Sequence, residues 1–396
     1  MVTRVEVYLD NAATTKAAKE VVEMVSKVML EDYGNPSSKH TKGVEAEKYI
    51  KQALETISKT LKCHEKEIIF TSGGTESNNM AVIGAAMANK RSGNQVLVSS
   101  VEHSSVKAPF RYLEKQGFQV DYIPVLKDGT IDLESFKNML TDDTILVSVM
   151  MVNNEIGTIE PIEEIGNIIK KFNKNILFHV DAIQAYGKMK IIPKKYNIDL
   201  MSVSGHKLHG PKGSGFLYIK EKTKINPIIT GGGQQNKMRS GTENVPAIAG
   251  LGKAVELIYT SDFNKKAEYL YDLRAYFIEK LKMLDEVYIN GVCDSKTDCE
   301  KAHVVSHIVS ASFKGIKAEV LLHALEEKNI YVSSGSACSS NNPGVSSTLM
   351  AIGLDKELLD STLRFSFCFD TTKEQLDYTI QALKELLPTL RKYKNY

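Results

Sequence analysis

Hydrophobic and polar positions follow two different periods in the first half of the chain. Short, continuous apolar runs at 96–98, 120–125, 145–149 and 176–180 are typical of buried strands. Between these runs, apolar residues recur every three or four positions, as they do on one face of a helix. The alternation of strands and helices predicts an α/β fold with a mainly parallel sheet and helices on both of its faces.

Four polar residues lie at or just beyond the ends of predicted strands, namely His103, Asn154, Asp181 and Lys207. Ligands of open parallel sheets bind in the crevice at the carboxyl ends of the strands. We therefore expect these four side chains to converge on one crevice.

Lys207 follows an apolar run at 198–203 and precedes a glycine-rich turn at 208–215. A lysine beside a turn is usually solvated, but a lysine in an apolar setting loses its proton easily and becomes a nucleophile for carbonyl groups. The three polar strand-end residues around it favour the second interpretation. Lys207 is then an anchor for an aldehyde cofactor such as pyridoxal phosphate.

Other residues near this crevice have a functional and a plainer interpretation. Asp181 suits a protonated pyridine nitrogen, or it caps a helix. His103 stacks on an aromatic ring or acts as an acid or base, or it only makes structural hydrogen bonds. The turn at 73–77 follows a strand and opens a helix, so it binds a phosphate or is simply a turn. It matches neither nucleotide-binding glycine motif, which disfavours nucleotides.

The last third of the chain reads as a smaller α+β unit, preceded by a long helical region at 245–284. Arg364 lies inside an apolar strand predicted at 363–369, where it needs an anionic partner. That partner is a substrate carboxylate or an internal ion-pair residue. Cys338 lies in a loop of serine, glycine and asparagine with no apolar face, which predicts an exposed and reactive thiol.

Composition narrows the class of protein. The 396 residues are enough for two domains, which we place at 15–255 and at 1–14 together with 256–396, the latter carrying the Cys338 loop. Fifty basic and 48 acidic side chains give a net charge of +2, which argues against a nucleic-acid-binding surface. No apolar run reaches the roughly 18 residues of a membrane helix. The five cysteines are odd in number and scattered, which indicates a reducing, cytoplasmic compartment.

Ordered motifs across nearly the whole chain carry a specific resemblance. The sequence resembles the cysteine desulfurases of the nitrogen-fixation and iron–sulfur cluster type, within the class V aminotransferase group of pyridoxal-phosphate enzymes. The motifs are Tyr-Leu-Asp-Asn-Ala-Ala-Thr-Thr at 8–15, Gly-Asn-Pro-Ser-Ser at 34–38, Val-Glu-His at 101–103, Asn-Asn-Glu-Ile-Gly at 153–157, and the segments 71–78, 181–184, 205–215, 239–244 and 333–338.

This resemblance implies the aspartate aminotransferase-like fold of pyridoxal-phosphate transferases (fold type I), with a large, mainly parallel seven-stranded sheet domain and a smaller α+β domain. Three catalytic residues are implied: Lys207 bonds the cofactor aldehyde, His103 stacks on its ring, and Cys338 accepts the sulfur. Arg364, with Asn154, would hold the substrate. The further cofactor contacts implied are Gly74, Thr75, Ser204 and His206 at the phosphate, Asp181 at the ring nitrogen, Asn154 and Gln184 at ring substituents, and Thr242 at the cofactor of a neighbouring subunit.

By the same resemblance, the protein is a homodimeric enzyme that converts L-cysteine to L-alanine and leaves a persulfide on Cys338. The persulfide would pass to an acceptor protein, either an iron–sulfur scaffold or a sulfurtransferase of tRNA thiolation. We expect no resident metal, although Cys338 could transiently ligate an iron–sulfur cluster with a scaffold partner, and no direct contact with nucleic acid or membrane. The alternatives are a selenocysteine lyase or class V aminotransferase, in which Cys338 is incidental, and a non-catalytic scaffold that keeps the fold and cofactor.

Three positions depart from the family pattern. Phe-Cys-Phe-Asp at 367–370 stands where a glycine–arginine pair is common, and Cys368 is either a packed strand cysteine or a secondary sulfur acceptor. Asn-Asn-Pro-Gly-Val-Ser at 341–346 replaces an acidic, proline-containing stretch where partner contact would be expected. Gln235 stands where an acidic residue is common.

Overall fold

The structure, a computed structural model, describes residues 6–292, 304–334 and 346–392. Its largest element is a seven-stranded sheet in which six strands are parallel and one, Gly215–Ile219, runs in the opposite direction. The mainly parallel sheet expected from the sequence is thus confirmed. Across the sheet the strands are β2 (Ile68–Thr71), β8 (Gly215–Ile219), β7 (Leu200–Ser204), β6 (Leu177–Asp181), β5 (Thr144–Met150), β3 (Gln95–Ser99) and β4 (Gln119–Ile123).

Helices cover both faces of this sheet, because neighbouring side chains on a strand point to opposite sides. In β3, Leu97 enters one hydrophobic core, while Val96 and Val98 enter another. The first core also contains residues of α1 (Lys19–Leu30), α2 (Thr41–Leu61), α5 (Leu133–Met139), α6 (Ile162–Phe172) and α7 (Val245–Ile258), and the second contains residues of α3 (Gly74–Asn89) and α4 (Ser104–Lys115).

Helix α3 begins earlier than the sequence pattern suggested, at Gly74 rather than at about residue 78. The residue before it, Gly73, has φ 145° and ψ −172°, a conformation that side-chain-bearing residues rarely adopt. This glycine turns the chain sharply from β2 into α3. The first turn of the helix therefore faces the carboxyl ends of the central strands.

The second structural unit is built on a four-stranded antiparallel sheet and a two-stranded parallel one. The first contains, in order, β12 (Ser333–Ser334), β13 (Thr362–Ser366), β10 (Ile308–Phe313) and β9 (Val287–Asn290), and the second pairs β1 (Val7–Tyr8) with β11 (Ile330–Tyr331). The accompanying helices are α8 (Phe263–Lys282), α9 (Ala318–Glu326), α10 (Ser347–Ala351), α11 (Lys356–Leu359) and α12 (Lys373–Lys392).

Two boundaries differ from those predicted. The helical region at 245–284 is two helices, α7 and α8, separated at 259–262, where the Thr260 hydroxyl donates a hydrogen bond to the Asp262 carboxylate. Such local side-chain bonds compete with helix continuation. The strand predicted at 363–369 ends at Ser366, so Cys368 is not a strand residue.

A separate hydrophobic core joins the two small sheets to helices α8, α9 and α12. Val7 and Leu9, near the start of the chain, belong to this core rather than to those of the large sheet. The domain division at 15–255 and at 1–14 with 256–396 stays a prediction. Within the described residues, each helix is either too short or too polar to span a lipid bilayer.

Candidate active site

A cavity of about 370 Å³ lies at the carboxyl ends of β5, β6 and β7, where the first turn of α3 and strand β13 approach them. Ten of the twelve residues singled out from the sequence line it. They are Gly74, Thr75, His103, Asn154, Asp181, Gln184, Ser204, His206, Lys207 and Arg364. The expected convergence on one crevice is therefore observed, while the role of each residue stays a prediction.

Lys207 ends a single 3₁₀ turn, Gly205–Lys207, that directly follows β7. Its Nζ donates hydrogen bonds of 2.6 Å to the backbone carbonyls of both Ala12 and Ala13. The turn that carries these carbonyls is itself tied back, because Thr15 donates to the carbonyl of His206 from both its backbone N–H and its hydroxyl. The lysine is thus held inside the cavity by backbone acceptors instead of extending into solvent.

Asp181 is the last residue of β6 and is only 4% exposed. One carboxylate oxygen accepts the backbone N–H of Ile183 at 3.0 Å, and the other accepts the side-chain amide of Asn78 at 2.8 Å. Burial raises the pKa of Asp181, and these two hydrogen bonds oppose that rise. A buried carboxylate that keeps its negative charge provides a site for a protonated ring nitrogen.

His103 is the N-cap of α4, so its structural interpretation is also correct. Its Nδ1 accepts the backbone N–H of Ser105 at 3.1 Å and lies 2.8 Å from the Ser105 hydroxyl. Burial lowers the pKa of His103, opposed by the nearby Asp181 carboxylate. Because Nδ1 accepts a hydrogen bond, the neutral ring carries its proton on Nε2. The cap thereby fixes both the position and the tautomer of the imidazole.

Asn78 is a residue of this site that the sequence reasoning missed. It is fully buried in α3, and its amide nitrogen donates to both Asp181 Oδ2, at 2.8 Å, and Ser105 Oγ, at 2.9 Å. Through Ser105 it therefore connects the Asp181 carboxylate to the His103 imidazole. The available signal was an asparagine among the small apolar residues of a helix, at the end of the motif 71–78.

The part of the cavity formed by the start of α3 and by His206 suits an anion. The first backbone hydrogen bond of α3 runs from Ser77 N–H to Gly73, which leaves the preceding amides without intrahelical acceptors. Gly74 allows the start of α3 to lie against Ile183, since a Cβ at position 74 would lie 2.1 Å from Ile183 Cδ1. Burial, helped by Lys207, lowers the pKa of His206 to about 4, so its imidazole is neutral at pH 7 and acts as a hydrogen-bonding group.

Arg364 in β13 has the internal ion-pair partner that one of the two interpretations required, while its role toward a substrate carboxylate stays a prediction. It is 4% exposed, donates to Asp10 Oδ1 at 2.8 Å, and donates to the backbone carbonyl of Asn154 at 2.9 Å. Its Nε is buried and has no hydrogen-bond partner among the described residues. The guanidinium is therefore oriented by an internal ion pair, and Arg364 lines the cavity.

The remaining predicted residues are placed as follows. Gln184 donates from Nε2 to the carbonyl of Ala12 at 2.9 Å, which helps to hold the turn that carries the Lys207 acceptors. Thr242 lines a different cavity, of about 190 Å³, together with Gln235. Cys338 lies outside the described residues.

The donor set fits pyridoxal phosphate. The start of a 16-residue helix offers backbone amides to the phosphate, Asp181 offers a buried carboxylate to the ring nitrogen, and Lys207 offers an amine to the aldehyde. These three groups line one cavity, which is the arrangement that this cofactor requires.

Comparison with known proteins agrees with this assignment. The family model for class-V aminotransferases matches residues 7–379. The chain is 44% identical over 392 residues to a protein named cysteine desulfurase IscS from Dictyoglomus turgidum, covering 99% of this chain and 97% of the relative. It is 43% identical over 385 residues to the protein of the same name from Methanosarcina thermophila, covering 97% and 93%.

Solved structures give the same result. A structure described as a NifS-like protein superposes with a TM-score of 0.90 at 35% identity, covering 98% of this chain and 100% of the other. A structure described as SspA in complex with cysteine superposes with a TM-score of 0.77 at 33% identity, covering 92% and 99%. From the matched family model, the near full-length relatives and the shared fold, we conclude that the chain belongs to the class-V aminotransferase family, alongside proteins named as cysteine desulfurases.

Proposed function

We propose that this chain is a pyridoxal-phosphate-dependent cysteine desulfurase, which converts L-cysteine to L-alanine and passes the sulfur atom through Cys338. The observation that carries the proposal is the convergence of Lys207, Asp181, His103 and Arg364 on one cavity, in a chain 44% identical to a named cysteine desulfurase. When bound, pyridoxal phosphate supplies an aldehyde that bonds amines and a ring that accepts the electron pair left on the substrate's α-carbon.

Asp181 and His103 both interact with the ring of the cofactor in this proposal. The Asp181 carboxylate holds the proton of the ring nitrogen, and its negative charge is maintained by the donors Asn78 and Ile183. The neutral His103 ring would stack on the cofactor ring, and its proton lies on Nε2 because Nδ1 accepts the backbone N–H of Ser105.

Lys207 performs the proton transfer. With pyridoxal phosphate and substrate bound, the Lys207 Nζ would accept the proton from the substrate's α-carbon. The carbonyls of Ala12 and Ala13 each accept an N–H from this nitrogen at 2.6 Å, so they orient its lone pair. A general base held by two fixed backbone acceptors needs little reorganisation when it takes the proton.

Arg364 binds the α-carboxylate of the substrate. The ion pair with Asp10 and the bond to the Asn154 carbonyl keep the guanidinium in one orientation at the wall of the cavity. A charge-assisted hydrogen bond from this guanidinium to a carboxylate is roughly twice as strong as a neutral one.

Cys338 completes the reaction as nucleophile. Its thiolate attacks the substrate sulfur, a new sulfur–sulfur bond forms, and the carbon–sulfur bond breaks with its electron pair passing to the carbon side. Protonation of that carbon yields L-alanine, and the persulfide stays on the protein. The persulfide then passes to an acceptor.

The enzyme works as a homodimer, in which Thr242 reaches the cofactor of the neighbouring subunit, and an acceptor protein for iron–sulfur assembly or tRNA thiolation receives the sulfur. Thr242 is exposed and lies in a cavity other than that of Lys207, which supports a contribution to a second subunit. The scattered cysteines support a reducing compartment such as the cytoplasm.

The decisive experiment incubates the purified protein with L-cysteine, with and without a reductant. We expect alanine and sulfide in equal amounts with reductant, and a persulfide on Cys338 by mass spectrometry without it. Cys338→Ser should lose sulfide release while retaining the cofactor, whereas Cys63→Ser, at a thiol whose pKa burial raises to about 12, should behave as wild type.

A second measurement tests Lys207. Borohydride should fix the cofactor covalently to wild type but not to Lys207→Ala, which should lose at least about a thousandfold in turnover, as expected for removal of a nucleophile that is also the base. Alanine without persulfide would indicate the lyase or aminotransferase alternative. The absence of a borohydride-reducible cofactor in wild type would indicate a scaffold.

A further inference from the structure

A second cavity, of about 590 Å³, lies behind the wall of the active site. The wall is the segment 8–16: Ala12 and Ala13 line the active-site cavity, while Tyr8, Asn11 and Lys16 line the second one. The volume lies within the ordinary range for small-molecule sites. Nothing in the proposed desulfurase reaction uses this space.

Cys368 lines the second cavity. It follows the end of β13 by two residues, is half-buried, and is a free thiol. It also stands in the segment 367–370, where the chain departs from its family pattern. A structural cysteine would be buried in apolar surroundings, whereas this one lines an open space with both polar and apolar walls.

Lys188 is a buried lysine in the neighbourhood of Cys368. It is only 7% exposed, and its Nζ is buried without a hydrogen-bond partner among the described residues. The nitrogen lies 5.1 Å from the centroid of the Phe369 ring, and Phe369 lines the cavity beside Cys368. Burial lowers the pKa of Lys188 to about 8, and the neighbouring Cys368 opposes that change. An amine of this basicity can accept a proton from a thiol.

Polar groups of both signs surround the thiol. Lys16 and Lys266 line the cavity, as do Glu6 and Asp370. His209 lines it too, and its Nε2 is buried without a hydrogen-bond partner among the described residues. This distribution suits a small ligand that carries both an ammonium and a carboxylate group.

We propose that Cys368 is a second nucleophilic thiol, activated by Lys188, which forms mixed disulfides with small amino-acid disulfides of the cystine type in this cavity. Lys188 Nζ takes the thiol proton, and the resulting Cys368 thiolate attacks one sulfur of the ligand disulfide. A Cys368–ligand disulfide forms, the ligand's own disulfide breaks, and the other half leaves as a thiolate. The oxidant is the ligand disulfide, so electrons and atoms balance.

The test uses the full chain with its cofactor, in a Cys338→Ala background that removes the proposed catalytic thiol. The protein is incubated with cystine, remaining thiols are alkylated, and cysteinylation of each peptide is followed by mass spectrometry. Cys368 should react at least about tenfold faster than Cys63, which is also half-buried but packs against the main hydrophobic core, where burial raises its pKa to about 12. Equal rates at the two cysteines would overturn the proposal.

Matched variants test the role of Lys188. Lys188→Met should slow the reaction at Cys368 about tenfold, as expected when a thiol loses its adjacent base. Lys190→Met is the control, because Lys190 also lies over an aromatic ring, that of Phe263 at 5.8 Å, but is exposed. Circular dichroism and bound cofactor establish that both variants are folded. An unchanged rate in folded Lys188→Met would contradict the activation step.

Ligand choice tests the cavity itself. Wild type should react faster with cystine than with the uncharged disulfide of 2-mercaptoethanol, and Lys16→Gln should reduce that preference. No preference in wild type would mean that the cavity does not select amino-acid disulfides. All these readouts are independent of cysteine turnover, so failure here leaves the proposed desulfurase activity untouched.

Discussion

Asn78 offers the sharpest test of how the site is organised. Its single amide nitrogen donates to Asp181 Oδ2 at 2.8 Å and to Ser105 Oγ at 2.9 Å, and the side chain is fully buried. In Asn78→Ala, the Asp181 carboxylate keeps only its hydrogen bond from the Ile183 backbone among those observed for its side chain. Because Asp181 is only 4% exposed, water replaces the lost donor poorly.

The size of the pKa shift expected for Asp181 follows from the negative charge of its carboxylate, which accepts the hydrogen bond. A hydrogen bond to a charged group contributes about 1.5–3 kcal/mol, which corresponds to about one to two pH units at 1.36 kcal/mol per unit. The bond from Asn78 favours the ionised carboxylate and opposes the effect of burial, so its loss raises the pKa of Asp181 further. The protonated, inactive form of Asp181 then persists to higher pH.

The assay is the pH dependence of kcat/KM for L-cysteine, with cofactor affinity measured in parallel. In Asn78→Ala, the acid limb of the profile should move upward by about one to two pH units, and cofactor affinity should fall. Asn79→Ala is the matched control, because Asn79 is the next residue of α3 and donates only to the backbone carbonyl of Thr75. An unshifted acid limb in a folded Asn78→Ala would refute the role assigned to this amide.

Two further predictions concern binding and stability. Arg364→Lys should raise KM for L-cysteine about 10- to 100-fold with a smaller change in kcat. The reason is that one ammonium group cannot bind Asp10, the Asn154 carbonyl and a substrate carboxylate together. Steady-state kinetics would check this, and an unchanged KM would contradict it. Burial raises the pKa of Glu160 from 4.5 to about 8, so the folded protein holds a proton that the unfolded chain releases. The free energy of unfolding should therefore fall between about pH 4.5 and pH 8, by up to about 5 kcal/mol, and Glu160→Gln should flatten this decline in denaturant titrations.

The sequence by itself determined the sheet, the family and most of the cavity. Continuous apolar runs mark strands that are buried on both faces, as in β5, where all seven residues are buried. Polar residues at the ends of such runs, such as Asp181 and Lys207, necessarily meet, because the carboxyl ends of parallel strands share one edge of the sheet. These inferences succeed because they depend on period and order along the chain.

Only the tertiary structure decided which side chains act as partners. The Asp10–Arg364 ion pair joins residues at opposite ends of the chain, and the amide of Asn78 in α3 bonds Asp181 of β6 and Ser105 of α4. The local pattern of apolar and polar residues contains no information on such pairs. Hydrogen bonds depend on distances and directions between atoms, and these are set by how the elements pack together. For the same reason, the sequence left Cys368 as either a packed residue or a secondary sulfur acceptor, and the structure places it on the wall of a cavity.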